Sequence, residues 1–543
     1  MPAATRVRLA VIAAASMAVI ATGCASNTST GGGGGGGIVR ATWADPQNPL
    51  EPANTNEVNG AAALNMIFTG LVSYDPKTAQ ARNAMAESIT SPDQQNWTVK
   101  LKPGWTFSDG SPVTAGSYVD AWNYGALATN KQVNASFYSY VQGYGDVAPT
   151  SGTPTAQSMS GLKVVDDTTF TVALTQKFST WPQTLGYVAY YPLPRAFFTN
   201  HAAYLDKPIG NGPYVIDSWQ RAKQMRLRPN PGYNGTEKPR NGGVDLKVYT
   251  DPNAAYADLQ AANLDVDNNL PTSALKTAAS DLNGRYLNQP AGIIDTLNFP
   301  LYRPEWNTDA AKLVRQGISM AIDRPTITKA IFNNTRTPAT DFTSPVLGTA
   351  GGYQAGLCGD VCLLNADKAR SLIQQGGGIP GGQLTISYNA DQPNKLWVDA
   401  ICNSINNTLG STSACIGRPV GTFAEYLDQI FSQRTTGGFI AFWQMDYPLI
   451  QDFLQPLYTV GGSANISHYS NANFDTQVDK ANADADPKKA VADFQNAEKL
   501  LVPDLPAIPL WYRNGIAGFS TKVSNVALNA FSVPVYTEIT AKR

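Results

Sequence analysis

Apolar and polar positions along the chain fall into two periods. Between Thr55 and Phe68, Val58, Ala62, Leu64 and Ile67 recur at helical spacing, and Thr114 to Tyr124 reads as a helix with Thr114 as its N-cap. Trp97-Thr98-Val99-Lys100-Leu101 instead alternates as a half-buried strand does, and Ser108-Asp109-Gly110-Ser111-Pro112 then supplies turn chemistry. Leu162 to Val165 and Thr169 to Leu174, parted by Asp166-Asp167-Thr168, read as a β-hairpin, and Gly212 to Ile216 with Met225 to Leu227 as a second strand pair. Val39 to Trp43, Leu246 to Tyr249 and Ile508 to Tyr512 are further strands; Leu384 to Tyr388 and Phe439 to Trp443 are apolar enough to be buried ones. Helices are predicted over Leu313 to Ile322, Ala366 to Gln375 and Asp493 to Val502. Strands alternate with helices toward both ends while hairpins cluster near the first third, which predicts an α/β body carrying a β-rich insertion. At 543 residues the chain exceeds what one hydrophobic core sustains, so more than one domain is expected.

The start of the chain carries a different pattern. Arg6 and Arg8 precede an uncharged stretch from Leu9 to Ile20, followed by Ala21-Thr22-Gly23-Cys24. This is the layout of an export signal over residues 1–23, with an apolar core too short for the roughly 20 residues of a membrane span. The small residues before Cys24 resemble a bacterial lipobox, in which that cysteine becomes the lipidated N-terminus, although Ala21 stands where Leu is usual. The other reading is an ordinary secretory signal that leaves a free thiol at Cys24. After Cys24 and Ala25, residues 26–30 are Ser, Asn and Thr and residues 31–37 are seven glycines, so that 24–37 is a flexible tether reaching about 20 Å.

Charge removes one class of partner. Lys and Arg number 40 against 41 Asp and Glu, so the net charge of -1 gives nucleic acid no electrostatic footprint. With two histidines in the whole chain, histidine-based catalysis has little to work with. No G-x-S-x-G or H-E-x-x-H occurs, and the Asp265-Val266-Asp267-Asn268-Asn269 run fails as a calcium loop because Leu270 stands where Gly is needed; it reads as a solvated turn. Cys358, Cys362, Cys402 and Cys415 remain after Cys24, an even count that in an exported chain reads as disulfides. Of three pairings, loop closure favours Cys358 with Cys362 and Cys402 with Cys415. Zinc-like spacing is missing, so no metal and no cofactor is expected.

Several blocks, in order, are similar to one family. They are Phe68-Thr69-Gly70-Leu71-Val72 with Tyr74-Asp75, the stretch Trp105 to Ala115, Asn211-Gly212-Pro213-Tyr214 through Tyr233, Val314 through Arg324, and Trp443-Gln444-Met445-Asp446-Tyr447-Pro448 with Asp452-Phe453-Leu454. Together they resemble the extracytoplasmic solute-binding proteins of peptide-type ABC transporters, family 5. The resemblance implies a two-lobed periplasmic-binding-protein fold of type II, the Venus-flytrap architecture, with an extra β-rich domain. Lobe one would comprise 38–78, 205–295 and 507–543, the β-rich domain 79–204, and lobe two 296–506. A monomer facing the periplasm or extracytoplasmic space would capture short peptides between its lobes and deliver them to membrane permease subunits, with no catalytic residues.

The same resemblance nominates ligand contacts. Asp446 matches the acid that receives a peptide's α-ammonium, its alternative being a structural salt bridge. Trp443 and Tyr447 belong to that motif, and Trp443 reads equally as core. Tyr140, with Tyr138 beside it, matches a tyrosine presented by the β-rich domain, against a plain packing role for both. Thr69 occupies a position where the family often has Glu, and Arg434 is the nearest candidate for a ligand carboxylate. A chelated metal, haem or sugar on the same scaffold is the rival within the family; a hydrolase of cell-wall peptides, or a sensory or adhesive lipoprotein, is the rival outside it.

Overall fold

Two thirteen-residue strands, Tyr286–Asn298 and Ala507–Phe519, form the antiparallel ladder on which the rest is hung. This is seen in the computed structural model, which describes residues 36–542. The ladder breaks between Pro290 and Ile294. Pro290 has no N–H to give, and the Gly292 N–H donates to the Ala530 carbonyl at 2.8 Å while its own carbonyl accepts from Met445 N at 2.8 Å. Beyond the break, Ile293 to Asn298 takes Gly438–Gln444 as an antiparallel neighbour, and Leu384–Asn389 and Cys415–Val420 extend that side in parallel. In the other direction, Gly518 and Phe519 pair with Val266–Asp267, which leads through Val39–Trp43 and Val244–Val248 to the hairpin of Tyr214–Gln220 and Gln224–Pro229. One mixed sheet of eleven strands results.

A second sheet of four antiparallel strands lies within 79–204, in the order Ala86–Thr90, Asn96–Leu101, Thr169–Ala173, Leu162–Asp166. Trp97, Val99 and Leu101 point inward and their neighbours outward, as the alternation requires. The helix Ala115–Ala126 begins at a capping box in which Thr114 and Ser117 satisfy each other's backbone N–H groups. The helix foreseen from Thr55 begins later, at Val58–Ile67, because the Glu57 carboxylate takes the free N–H groups of Asn59 and Gly60.

Buried apolar side chains gather into three large clusters. One runs from Leu297 to Trp511, one is centred on Trp122 and Trp181, and the third joins Val39, Leu64, Leu227 and Ile539 from distant parts of the chain. Both disulfides take the local pairing, Cys358–Cys362 and Cys402–Cys415. The second ties the helix Asn394–Leu409 to the strand Cys415–Val420, and Asn406 brackets the same cysteine from both sides, at 2.8 Å to its N–H and 3.0 Å to its carbonyl.

Two expectations need correction. Residues 265–269 are no solvated turn: Val266 and Asp267 form a strand inside the main sheet, Asp265 accepts from Arg40 at 2.8 Å, and Asp267 accepts from the Thr42 hydroxyl at 3.1 Å. Burial there is affordable because each acid meets a donor on the neighbouring strand. The tether also ends earlier than residue 37. The Gly37 N–H donates to the Ala541 carbonyl at 2.9 Å and its carbonyl accepts from Gly242 N, and a Cβ at Gly37 would collide with the Lys542 carbonyl. Residues 1–35, and with them the export signal and Cys24, lie outside the described residues. No helix among the described residues is long and apolar enough to cross a membrane.

One interior acid makes stability depend on pH. Glu498, on the helix Pro487–Asp504, is wholly buried beside the wholly buried Asp341. Burial first, then the Asp341 carboxyl, raises Glu498 well above the usual carboxylate range. The folded state therefore keeps a proton that the unfolded chain has released, and stability falls as pH rises past the ordinary glutamate pKa. Glu498→Gln removes that dependence. Calorimetric melting at pH 5 and pH 8 is expected to give a smaller Tm difference for the variant than for the wild type.

Candidate ligand-binding site

A cavity at the end of the strand Gly438–Gln444 has a volume of about 1480 Å³. Small-molecule pockets run to about 1000 Å³, so this one has room for a ligand of several residues. Its walls come from segments far apart in sequence: the turns after Phe68, the loops around Tyr140 and Tyr187, the stretch from Phe442 to Asp452, and the loop at Phe531. Aromatic rings are numerous in these walls. Phe137 stacks on Tyr187 with centroids 4.3 Å apart, Tyr140 leans on Phe178 at 5.0 Å, and the Tyr74 hydroxyl is tied to the Gln183 carbonyl at 2.8 Å.

Asp446 is held at the edge of this space by the break in the long ladder. Met445, its predecessor, is bonded to Gly292 and buried, so the chain leaves the sheet there and turns the next side chain into the cavity. Gly292 permits the approach, since a Cβ there would collide with the Met445 side chain. Six residues on, the helix Ile450–Tyr458 places Asp452 in its first turn. One oxygen of Asp452 accepts both the Asp446 N–H at 3.0 Å and the Trp443 indole N–H at 3.1 Å. Neither carboxylate forms an ion pair with any described residue, so no salt bridge accounts for Asp446.

The electrostatic result is two acids held against their charge. Burial pushes Asp446 up to about 7, with the Tyr187 hydroxyl partly offsetting it. Burial, followed by the charge of Asp446, pushes Asp452 well above the usual range, against the pull of its two N–H donors. A cation between them would relieve both.

Of the residues nominated from sequence, Asp446, Trp443, Tyr447 and Tyr140 share this cavity. Trp443 lines it while orienting Asp452. The Tyr447 hydroxyl is turned to Gln451 at 2.6 Å. Tyr138 is misplaced by the sequence reading: it is fully buried against Trp122 and Tyr190, with its hydroxyl on the Ala189 carbonyl at 2.5 Å, and does not reach the cavity. Arg434 is likewise absent from the cavity; it pairs with Asp428 on the exterior. Thr69 lines the wall and brings no charge. The cations that do line it are Arg82, already paired with Glu237 and Asp75, and Lys102, whose ammonium is on the Ala84 carbonyl at 2.7 Å. Sequence reasoning missed the roles of Asp452 and Tyr187. For Asp452 the available signal was an acid among apolar residues within the motif already noted.

The family model of the bacterial extracellular solute-binding proteins, family 5 (middle), matches residues 80–465. The chain belongs to that family. Among family relatives, the dipeptide-binding protein DppE of Bacillus subtilis is 25% identical over 469 residues, covering 83% of this chain and 82% of its own. The probable deoxycholate-binding periplasmic protein YgiS of Escherichia coli is 24% identical over 476 residues, 86% of each chain. The solved structure of the Escherichia coli murein tripeptide binding protein MppA superposes with a TM-score of 0.75 at 21% identity, covering 94% of this chain and 99% of that one. The α/β fold is thus that of the periplasmic binding proteins, and family 5 is defined by binding solutes rather than by turnover.

The two tyrosines separate by experiment. Tyr138→Phe strands the Ala189 carbonyl and is expected to lower unfolding stability by about 1–2 kcal/mol. Tyr140→Phe removes a hydroxyl with no partner among the described residues and is expected to leave the urea midpoint unchanged.

Proposed function

We propose that the protein is the ligand-capturing lipoprotein of an ABC importer for short peptides. The observation that carries this reading is the pair of cavity-facing carboxylates with no cation of their own, Asp446 and Asp452. A peptide's α-ammonium supplies that cation, and the aromatic walls accept varied side chains while water fills the remaining volume. The dipeptide specificity named for DppE agrees with it. Deoxycholate, named for YgiS, is an anion, as are the carboxylates of haem; each would meet two acids that already lack a counter-charge. The uncompensated acids therefore favour peptides over those ligands.

In this reading lobe one is built from about 38–78, 205–295 and 507–543, carries the β-rich domain of 79–204, and closes on lobe two, 296–506. The apolar cluster of Val39, Leu64 and Leu227 is separate from that of Phe299, Phe439 and Phe494, which supports two lobes, although Ala507 to Trp511 pack with the second cluster; the interrupted ladder at Pro290 to Ile294 is a suitable hinge. Cys24 is the lipid-bearing residue, which holds the body at the extracytoplasmic face of the membrane next to its permease. Replacing Cys24 with Ser is expected to release the protein from the membrane fraction or to leave an uncleaved precursor, read by fractionation and intact mass.

The ligand assignment is tested by calorimetry on four combinations: wild type and Asp446→Asn, each with trialanine and with N-acetyl-trialanine. Loss of one partner of a buried charge pair costs about 2–5 kcal/mol, on the order of 30-fold to several thousand-fold in affinity. Each single change is expected to weaken binding by that much, and both together by clearly less than the sum. Full additivity would show that Asp446 and the ammonium do not meet. An unchanged affinity for the acetylated peptide would remove the ammonium from the account.

A further inference from the structure

The family resemblance nominates one acid, Asp446, on this wall, and the structure sets a second, Asp452, against it. Asp452 is 1% exposed, in the first turn of its helix, and only one of its oxygens is engaged by donors. Among the described residues the titratable groups around the pair are the tyrosines Tyr74, Tyr187, Tyr190 and Tyr447, of which Tyr187 gives its hydroxyl to Asp446, and no lysine, arginine or histidine is with them. Two carboxylates on one wall, joined by the Asp446 N–H on an Asp452 oxygen at 3.0 Å and without a cation beside them among the described residues, do not both ionise at neutral pH.

We propose that Asp446 and Asp452 hold one proton between them in the empty site, and that the ligand's ammonium replaces it, so that each capture event releases a proton to solvent. This rests on the peptide reading above. The exchange balances: the singly protonated pair, net charge −1, plus one ammonium becomes two carboxylates plus one ammonium, again net −1, with one proton freed. Asp452 is thereby a specificity residue. It makes the empty pocket nearly indifferent to small cations at low pH and ties affinity to pH. By linkage, affinity rises about tenfold per pH unit below the pKa of the pair, levels off, and falls again above about pH 8, where the peptide's own α-amino group loses its proton.

Two measurements on the full mature protein test it. Carbon-13 NMR of the aspartate carboxyls, without ligand, is expected to show one carboxyl still protonated at pH 6 in the wild type and none in the double variant Asp446→Asn/Asp452→Asn. Calorimetry of trialanine at pH 6, in buffers of high and low ionisation heat, is expected to show release of close to one proton per peptide. In Asp452→Asn the release is expected to shift to lower pH, because the remaining acid has lost its like-charged neighbour. Two ionised carboxyls at pH 6 would overturn the proposal. So would an unshifted release curve in the variant. Tight binding with no proton release would overturn the exchange while leaving the peptide reading intact; no binding of trialanine at any pH, with the shared proton present, would overturn the peptide reading and the exchange that rests on it.

Discussion

The long antiparallel ladder of Tyr286–Asn298 with Ala507–Phe519 is the constraint on which the site depends. At its centre Asp295 is buried and gripped by Arg336 at 2.5 Å and Arg513 at 2.6 Å. Burial alone would raise that carboxyl, but the two guanidinium groups outweigh it and hold it below the usual range. Arg513 also lies over the Phe442 ring, 4.6 Å from its centroid, and so couples the ladder to a cavity wall. A few residues earlier the ladder opens at Pro290 to Ile294, and the opening is filled by Met445. The position of Asp446 is therefore a consequence of where the sheet is interrupted.

Asp295 and the Asp446–Asp452 pair show two ways of keeping acids inside a protein. Asp295 is fully compensated, and removing either arginine would leave an unmatched charge. The cavity pair is left uncompensated, which the fold tolerates only because a proton or a ligand cation can stand in. Stability is given up at the site and regained at the ladder, the usual arrangement where binding rather than packing decides the residues.

Much of the fold was legible because local pattern and final environment agree. Trp97 to Leu101 alternates and is half-buried, Thr114 caps its helix, and Ala366–Gln375 has its predicted bounds. The helix Asn394–Leu409 was not foreseen. Its four asparagines are weak helix formers, and it is held by buried Trp397, Ile401 and Ile405 and by the Cys402 disulfide, all long-range effects. Asp265 and Asp267 looked like surface acids because their partners, Arg40 and Thr42, lie more than 220 residues away. In the site, Asp446 and Trp443 were readable from their motif. Tyr138 and Tyr140 were not separable, since two residues apart on a short turn one faces the core and the other the cavity, and nothing local says which. For Asp452 the motif shows an acid among apolar residues, but its role depends on two hydrogen bonds from a neighbouring strand end that only the fold supplies.

The central claim is that a free ammonium group on a short peptide completes this cavity. Mass spectrometry of small molecules released by denaturing the protein purified from its native envelope tests it most directly. The account predicts a population of short peptides with unblocked amino termini, lost from an Asp446→Asn protein. Recovery instead of a single anionic ligand, such as a bile acid or haem, or of peptides with blocked amino termini, would contradict it.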